Sequence, residues 1–370
     1  MFFTMIMIAY GLPNIYLFLR IGKLFISNKY RVRYAIIYIL LALLYPLSNA
    51  FFDGDGGSVG LILEAAGNYI LTFYLYLFLS VLLFDILLIF NYIFKFISSE
   101  ILKSSKFKKT ALSIIILTSI TVVIIGIINF NTIRVSEYNI EIPKKGSGIE
   151  NLKIAFVADF HLDERTNIKY VERFVKEIKI IQPDLMLYGG DIVEGNGEDE
   201  ELIRIENSLG EIETQYGVFA VLGNHEHYSG NEDGSFLRSA GMTLLTDSVV
   251  IINYAFNLAG RYDSQFRSRK SINEFIKSVN DTLPIILLDH RPTEIEEVSK
   301  TNVDIQLSGH THNGQLFPIN FIIRKMYLLN WGYEKIGNTH FFVTSGIRLW
   351  GPPVRTVGKS EIMVINITFI

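Results

Sequence analysis

The stretch Leu152-Lys-Ile-Ala-Phe-Val-Ala-Asp159-Phe-His161 joins a continuous apolar run to two polar side chains at its end. An apolar run of this length without alternation predicts a strand that is buried on both faces. Open α/β sheets build their sites just beyond such strand ends. The stretch therefore predicts an α/β domain with a functional site that includes Asp159 and His161.

Further along the chain, other polar motifs also follow short apolar runs of strand length. In chain order they are Gly189-Gly190-Asp191 after Leu185–Tyr188, Gly223-Asn224-His225-Glu226 after Val218–Leu222, His290 after Pro284–Leu288, and Gly309-His310-Thr311-His312 after Val303–Leu307. Helical spacing of apolar residues predicts a helix over 168–181 and another over 292–300. The pattern after residue 338 is strand-like. We therefore expect the strands to deliver these side chains to one edge of a sheet.

The side chains in these motifs are typical ligands of divalent cations. Carboxylates, an amide oxygen and neutral imidazoles suit Mn, Fe, Zn or Co, and the chain has no cysteine for thiolate sites, disulfides or a cysteine nucleophile. Residues i and i+2 share a face of an extended segment, so Asp-x-His and His-x-His are expected to project both side chains to one side. The motifs together predict a site for two metal ions.

This ordered series of motifs resembles the calcineurin-like metallophosphoesterase family, most closely its membrane-anchored bacterial members and the transmembrane proteins with a metallophosphoesterase domain. The resemblance covers roughly residues 150–368 and extends to Gly309–Pro318 and Trp350–Arg355. It implies two facing β-sheets flanked by helices and hydrolysis of phosphate esters.

The same resemblance implies a role for each motif residue. Asp159, His161 and His312 hold one metal ion, Asn224, His290 and His310 hold the other, and Asp191 bridges both. His225 is the catalytic histidine that is not a ligand. The chain departs from the family pattern at Glu194, where many members have Asp, and at Asn313, where Gly is common. Neither is a ligand position, so both departures bear on substrate preference.

The mechanism implied is attack on phosphorus by a hydroxide that bridges the two metal ions, with His225 stabilising charge or protonating the leaving oxygen. Arg348 and Arg355 are candidates for binding the phosphate, as are Arg261 and Arg291, and surface ion pairing is the alternative for each. Three carboxylates either orient the ligand imidazoles or are solvated loop charges: Asp163, Glu226 and Asp289. We expect His290 to lie within about 10 Å of Asp191, as a two-metal spacing requires.

The first third of the chain has the composition of a membrane anchor. Mean hydropathy is +0.31, and the excess of apolar residues lies in 1–130. The apolar stretches long enough to cross a bilayer, which takes about 20 residues, are Phe2–Leu19, Tyr34–Phe52, Tyr69–Ile93 and Thr110–Ile128. They predict a helix bundle with four spans.

Charge in the loops predicts the orientation of these spans. The first loop has Arg20, Lys23, Lys29, Arg31 and Arg33, and the third has Lys95, Lys103, Lys106, Lys108 and Lys109, whereas the second, around Asp53–Asp55, has no Lys or Arg. Because basic loops stay in the cytoplasm, we expect a multi-pass protein with an extracytoplasmic catalytic domain. Two crossings within Val59–Phe96 would invert this. Asp85, inside the third span, is either a functional acid or a hydrogen-bonded carboxylate between helices.

The predicted organisation is a transmembrane anchor at 1–130, a junction at 131–150 and a metallophosphoesterase domain at 151–370. The net charge of −3 gives no reason to expect a nucleic-acid partner. Anchoring favours substrates at the membrane surface, such as a phospholipid or a nucleotide-linked glycolipid pyrophosphate, and soluble esters are the alternative. The alternative functions are a non-hydrolytic metal-binding sensor or scaffold, and a transporter regulated by the soluble domain.

Overall fold

The computed structural model describes residues 2–51, 57–143, 149–194, 200–277, 279 and 281–370. The chain divides into two compact units. One consists of Met1–Ile128 with Gly351–Val354, and the other of Asn129–Trp350 with Arg355–Ile370. The predicted second membrane loop, around Asp53–Asp55, lies outside the described residues.

The N-terminal unit is helical, as its apolar runs predict. Its helices are α1 (Phe2–Phe25), α2 (Arg31–Phe51), α3 (Gly57–Phe94), α4 (Ser99–Lys103) and α5 (Ser105–Phe130), with a 3-10 helix at Asn28–Tyr30. Among the described residues, three segments are long and apolar enough to cross a membrane: Asn28–Ala50, Val59–Phe94 and Ser105–Phe130. The predicted span Phe2–Leu19 lies in α1, which is not among these three.

Helix α3 is continuous over 38 residues. At about 1.5 Å per residue it extends about 57 Å, compared with a hydrocarbon core of about 30 Å. An unbroken helix keeps one direction, so α3 does not form the two antiparallel spans that the alternative for Val59–Phe96 requires.

Asp85 of α3 is bound to α1. Its carboxylate pairs with the guanidinium of Arg20, where Nη2 and Oδ1 are 2.6 Å apart, and accepts a hydrogen bond from the hydroxyl of Tyr16. Arg20 was predicted in the first loop but lies within α1, which continues to Phe25. The ion pair offsets the cost of the Asp85 charge in an apolar segment. The contacts agree with the interpretation of Asp85 as a hydrogen-bonded carboxylate between helices.

The second unit contains two sheets of six described strands each. The strands are β1 (Ile133–Ile142), β2 (Asn151–Val157), β3 (Leu185–Tyr188), β4 (Val218–Ala220), β5 (Thr243–Leu244), β6 (Ser248–Ile252), β7 (Phe256–Gly260), β8 (Ile285–Leu288), β9 (Ile305–Ser308), β10 (Gly332–Ile336), β11 (Thr339–Val343) and β12 (Ser360–Phe369). The orders are β1-β12-β2-β3-β4-β5 and β10-β11-β9-β8-β7-β6. The parallel neighbours β2-β3-β4 of the first sheet and β8-β9 of the second carry the predicted motifs at their ends.

The predicted junction at 131–150 contributes an edge strand. β1 pairs in parallel with β12, from Ile133 opposite Ser360 to Ile142 opposite Phe369. Side chains near its end alternate between exposed and buried, with Ile140 and Ile142 in the core. Because β1 gives one face to the core, this segment belongs to the sheet of the second unit.

The second unit also contains seven described α-helices. They are α6 (Ile168–Ile181), α7 (Glu200–Leu209), α8 (Asn224–Ser229), α9 (Ser235–Ser239), α10 (Ile272–Ile276), α11 (Ile295–Val298) and α12 (Ile319–Met326). The helix predicted over 292–300 is shorter in the structure, because regular helix is confined to Ile295–Val298. A short 3-10 helix spans His312–Gly314.

The main core lies between the two sheets. Phe156 and Leu187 of the first sheet pack in one cluster with Leu258, Leu288 and Leu307 of the second. A second cluster joins α6 and α7 to the first sheet, and a third joins α10 and α11 to the second. Each fully buried side chain of this size contributes about 1.5–3 kcal/mol. The expected two-sheet sandwich flanked by helices is therefore observed, and it fixes the strand ends that carry the motifs.

Candidate metal centre

Asp159 and His161 follow β2 and are held by the backbone of the next motif. The N–H of Asp159 donates to the carbonyl of Gly190 and that of His161 to Asp191, both at 3.0 Å. Their φ angles of 58° and 47° lie in the left-handed region. The expectation of an extended Asp-x-His segment is wrong, because the chain turns at both residues. Such strained backbone is common at functional sites and requires support from its surroundings.

Asp191 has the same left-handed backbone, with φ of 54°. Its carboxylate accepts a hydrogen bond of 2.8 Å from the N–H of His225. A Cβ added to Gly223 would lie 2.2 Å from Oδ1 of Asp191. Gly223 is therefore required for the close approach of the Gly-Asn-His-Glu loop to this carboxylate.

Potential ligand atoms form two groups that are connected through Asp191. Those of Asp159, His161 and His312 lie within 4.8 Å of one another, and so do those of Asp191, His290 and His310. Asp191 also lies within this distance of both His161 and His225. The structure thus brings together six of the seven predicted metal ligands and the predicted catalytic histidine.

Asn224, the seventh predicted ligand, begins α8 and is buried. Its Oδ1 is buried and accepts no hydrogen bond from the described part of the chain. A buried acceptor without a partner costs about 1–3 kcal/mol. A cation at this atom would remove that cost, and the surrounding carboxylates and imidazoles are suitable ligands for the same ion. The donor set fits divalent metal ions.

One hydrogen bond orients the imidazole of His290. Its Nδ1 lies 2.7 Å from the carbonyl of Gly189, and its Nε2 lies 3.1 Å from Oδ2 of Asp191. Because a carbonyl only accepts, Nδ1 carries the proton, and in the neutral ring Nε2 is free to bind a metal. The Nε2 atoms of His161 and His312 lie 3.1 Å apart, so both rings can face one ion.

Electrostatics in the centre also favours a cation. Burial raises the pKa of Asp191, but the neighbouring His290 lowers it well below its usual value. Burial lowers the pKa of His290, but the Asp191 carboxylate raises it to about 10. Burial, followed by the charge of His290, lowers the pKa of His310 to about 3. The carboxylates of the centre therefore favour positive charge at His290.

Glu194 connects the centre to His225. Its Oε1 lies 2.6 Å from Nδ1 of His225 and also contacts Nδ1 of His161. Burial raises the pKa of Glu194, but hydrogen bonds from both histidines lower it to about 2. From its place in the motif series, Glu194 was expected to bear only on substrate preference. Its position three residues after Asp191 was the signal that it belongs to the same loop.

His225 lies at the mouth of the centre. Its side chain is 19% exposed, and its ring centroid lies 5.7 Å from that of Tyr228 and 6.0 Å from that of Trp350. Tyr228 and Trp350 are both exposed. His227 instead contacts Glu232 and Phe266. These aromatic rings form a rim on which a substrate could stack.

Of the three carboxylates predicted beside the ligands, Glu226 supports the centre. Its side chain accepts hydrogen bonds from the N–H groups of Asp191, Val193 and Gly223 at 3.0, 3.1 and 2.7 Å. Two motif loops are thereby tied together. Asp289 instead pairs with Arg261 and Arg269, and Asp163 with Arg165.

The predicted phosphate-binding arginines are directed into the fold. Arg348 donates to the carbonyl of His161 at 3.1 Å and to the hydroxyl of Thr166. Arg355 is fully buried and donates to the carbonyls of Ser345 and Arg348 at 2.7 and 2.8 Å. Both support the loops around the metal centre, and a substrate-binding role for them stays a prediction.

The remaining predicted residues also have partners in the fold. Arg261 and Arg291 pair with Asp289 and Asp263. His340 lies in β11 and its Nδ1 is 3.0 Å from the hydroxyl of Tyr333.

The chain is similar to several metallophosphoesterases. Residues 152–314 match the family model of calcineurin-like phosphoesterases. An uncharacterized metallophosphoesterase of Aquifex aeolicus is 34% identical over 243 residues, which are 64% of this chain and 92% of that protein. An uncharacterized metallophosphoesterase of Helicobacter pylori is 33% identical over 225 residues, 59% of this chain. The chain covers 60% of the length of this Helicobacter relative.

A third relative connects the family to membranes. The transmembrane protein with metallophosphoesterase domain of Danio rerio is 27% identical over 286 residues, which cover 72% of this chain and 64% of that protein. This name and the apolar helices of the first unit indicate a membrane protein. The family predicted from the motifs is confirmed by the extent of the Aquifex match. The chain belongs to the calcineurin-like phosphoesterase family.

Proposed function

We propose that this chain is a membrane-anchored hydrolase that cleaves phosphate esters at the membrane surface with the help of two divalent metal ions. The observation that carries the proposal is the convergence of two ligand groups on Asp191, beside an Asn224 oxygen that has no other partner among the described residues. A single ion would leave part of this donor set unused.

Seven side chains would hold the ions. Asp159, His161 and His312 would bind one, Asn224, His290 and His310 the other, and Asp191 both. Mn, Fe, Zn and Co all suit this mixture of oxygen and imidazole ligands. When bound, such ions lower the pKa of water and neutralise negative charge on a phosphoryl group.

His225 would act as the general acid. With Nδ1 donating to Glu194, 2.6 Å away, the Nε2 atom carries the proton that the leaving oxygen needs. The Glu194 carboxylate stabilises the charged imidazolium and holds the ring in one orientation, so the proton is presented at the mouth of the centre. After transfer, the neutral ring remains bound to Glu194 through Nδ1.

The pairing of His225 with Glu194 supports hydrolysis rather than a sensor or scaffold function. Metal binding alone needs no partly exposed imidazole oriented by a carboxylate beside the ligands. The exposed rings of Tyr228 and Trp350 next to His225 are suited to contact a substrate.

Membrane anchoring suggests where the substrate lies. Basic residues flank the apolar segments on one side, which favours a multi-pass arrangement with an extracytoplasmic catalytic domain. Phosphate esters borne by membrane lipids, such as a phospholipid or a nucleotide-linked glycolipid, would then be within reach. A soluble ester is the alternative substrate.

The test is a metal-reconstituted hydrolysis screen of the detergent-solubilised full chain. Metal-free protein is loaded separately with Mn, Fe, Zn or Co and given a phosphomonoester, a phosphodiester and a lipid pyrophosphate. We expect release of product that requires added metal. Tight metal binding without hydrolysis in any of the three classes would favour the sensor or scaffold function instead.

A further inference from the structure

Helix α12 carries its apolar side chains on the surface of the second unit. No residue of Ile319–Met326 is buried, whereas α6 buries residues such as Val171 and Phe174. The helix and its flanks expose six large apolar side chains, which we name the α12 patch: Phe317, Ile319, Phe321, Ile322, Met326 and Leu328. Ile322 and Met326 are 61% and 66% exposed. Amphipathic helices of water-soluble domains normally bury their apolar face.

The polar residues of this helix are basic. Arg324 and Lys325 are exposed in its last turn. The sequence contains no Asp or Glu between Asp304 and Glu334. A helix with an exposed apolar face and Lys or Arg among its polar residues is typical of segments that lie in the lipid–water interface, where anionic lipids attract the basic groups.

The α12 patch adjoins the candidate metal centre. The 3-10 helix His312–Gly314 packs on α12, because a Cβ at Gly314 would lie 2.4 Å from Cα of Asn320. At the other end of α12, the ring centroid of Tyr327 lies 6.2 Å from that of His310. The helix is therefore bracketed by contacts with two predicted metal-ligand segments.

We propose that α12 lies in the interface of an anionic lipid bilayer, with the α12 patch among the acyl chains and Arg324 and Lys325 at the headgroups. A bilayer is the partner we expect for the α12 patch, because apolar segments long enough to cross a membrane precede this unit in the chain. Only residues 131 and 132 separate α5 from β1, so the tether to the bilayer is short.

This step rests on the proposed function. The contact of α12 with the bilayer would place the metal centre next to phosphate esters carried by lipids. The expected substrate class is therefore a lipid with a phosphate or pyrophosphate headgroup. Interfacial binding by itself does not depend on that chemistry and can be measured separately.

The absence of cysteine from the sequence permits a clean labelling experiment. The full chain is placed in nanodiscs of phosphatidylcholine and phosphatidylglycerol, with one environment-sensitive fluorophore at Ile322→Cys or Met326→Cys. Ile180→Cys and Ile251→Cys are matched controls, because these apolar residues are 64% and 50% exposed and lie on α6 and β6. Quenching by spin-labelled lipid is compared with quenching by aqueous iodide.

For an interfacial helix, labels at 322 and 326 should emit at shorter wavelength and be quenched by lipid about threefold more strongly than the controls. Iodide should quench the controls instead. Equal access of iodide to all four positions would overturn the proposal. Protection from both quenchers, with dependence on the number of chains in each nanodisc, would indicate a second copy as the occupant and would also overturn it.

Charge reversal provides a second variant. Arg324→Glu with Lys325→Glu should reduce lipid quenching at a label on residue 322 in the anionic nanodiscs, and should have little effect in pure phosphatidylcholine. Circular dichroism and metal content verify the fold. Reduced quenching of similar size in both lipids would contradict a role for anionic headgroups.

A kinetic measurement separates this inference from the proposed function. With Ile322→Glu and Met326→Glu, the ratio of lipid-ester to soluble-ester hydrolysis should fall about tenfold, because the lipid substrate is no longer presented. An unchanged ratio would contradict presentation by α12. If wild-type protein hydrolyses neither ester, the proposed function fails, while the quenching result still decides whether α12 lies in the interface.

Discussion

The Nε2 atom of His290 lies 3.1 Å from Oδ2 of Asp191. This contact joins the second sheet, where His290 follows β8, to the first sheet, where Asp191 follows β3. The distance is well within the limit of about 10 Å expected for a two-metal site. The candidate metal centre therefore lies where the carboxyl ends of parallel strands from both sheets meet, and both sheets contribute predicted ligands.

Gly223→Ala should impair metal binding without changing any ligand. The new Cβ would lie 2.2 Å from Oδ1 and 2.5 Å from the backbone N of Asp191, so one of the two loops must move. We expect a loss of metal affinity of about tenfold or more, measured by competition with a chelator. Gly210→Ala is the matched control, since its nearest contact would be 3.4 Å and it should bind metal like wild type.

Glu194→Gln should reduce turnover strongly and metal content only slightly. The amide cannot stabilise the imidazolium of His225, so kcat should fall about tenfold or more. The surface variant Glu211→Gln, which removes only a pair with Lys179, should keep the wild-type kcat. An unchanged kcat in Glu194→Gln would exclude this role.

Glu361→Gln should destabilise the second unit. The buried carboxylate pairs with Arg134 of β1 at 2.6 Å and accepts hydrogen bonds from Trp331 Nε1 and the N–H of Ser345, both at 2.9 Å. Removing its charge should cost about 2–3 kcal/mol, seen as a lower Tm. Glu137→Gln, at an exposed position of β1, is the control.

The same carboxylate predicts a pH dependence of stability. Burial raises the pKa of Glu361, but hydrogen bonds from Ser136 and Ser345 and the charge of Arg134 hold it below the usual value of 4.5. A lowered folded-state pKa gives stability that is present above pH 4.5 and is lost as pH falls through the folded-state value. The difference in Tm between wild type and Glu361→Gln should therefore shrink below pH 4.5. A constant difference would mean that the charge contributes nothing.

A reporter fused after Ile370 tests the orientation of the chain. Basic residues around the first and third loops predict that the second unit lies outside the cytoplasm. Alkaline phosphatase, which is active only outside, should be active in the fusion, and a green fluorescent protein should be dark when exported unfolded. The opposite pattern would mean that the first apolar segment does not cross the membrane. The expected substrates would then be cytosolic nucleotides and lipid precursors.

The ends of the strands could be predicted from the sequence, because a short continuous apolar run can adopt few structures other than a buried strand inside a sandwich. Leu185–Tyr188 is a strand with the predicted bounds, and the predicted helix over 168–181 is α6. The motif side chains converge because parallel neighbouring strands end at one edge. The left-handed backbone at Asp159 and His161 could not be predicted, since both residue types also occur in extended segments.

Other features depend on contacts between distant segments. Arg355 resembled a phosphate ligand by residue type, yet it donates to carbonyls of its own loop. Apolar residues in 319–326 have the spacing of a core helix, and only the packing of the second unit reveals that α12 is exposed. The carboxylate of Glu194 is brought to His225 by the fold, and the sequence gives no sign of which histidine it contacts.

The most direct test of the central claim is to measure metal content and turnover together in two variants. Asp191→Ala should lose both, because a carboxylate oxygen of Asp191 lies within 4.8 Å of ligand atoms of His161 in one group and of His290 and His310 in the other. His225→Ala should keep nearly all of its metal while turnover falls about 100-fold or more, as expected when a general acid is removed. Equal loss of metal in the two variants would make His225 a ligand, and full activity in Asp191→Ala would contradict a metal-dependent hydrolase at this centre.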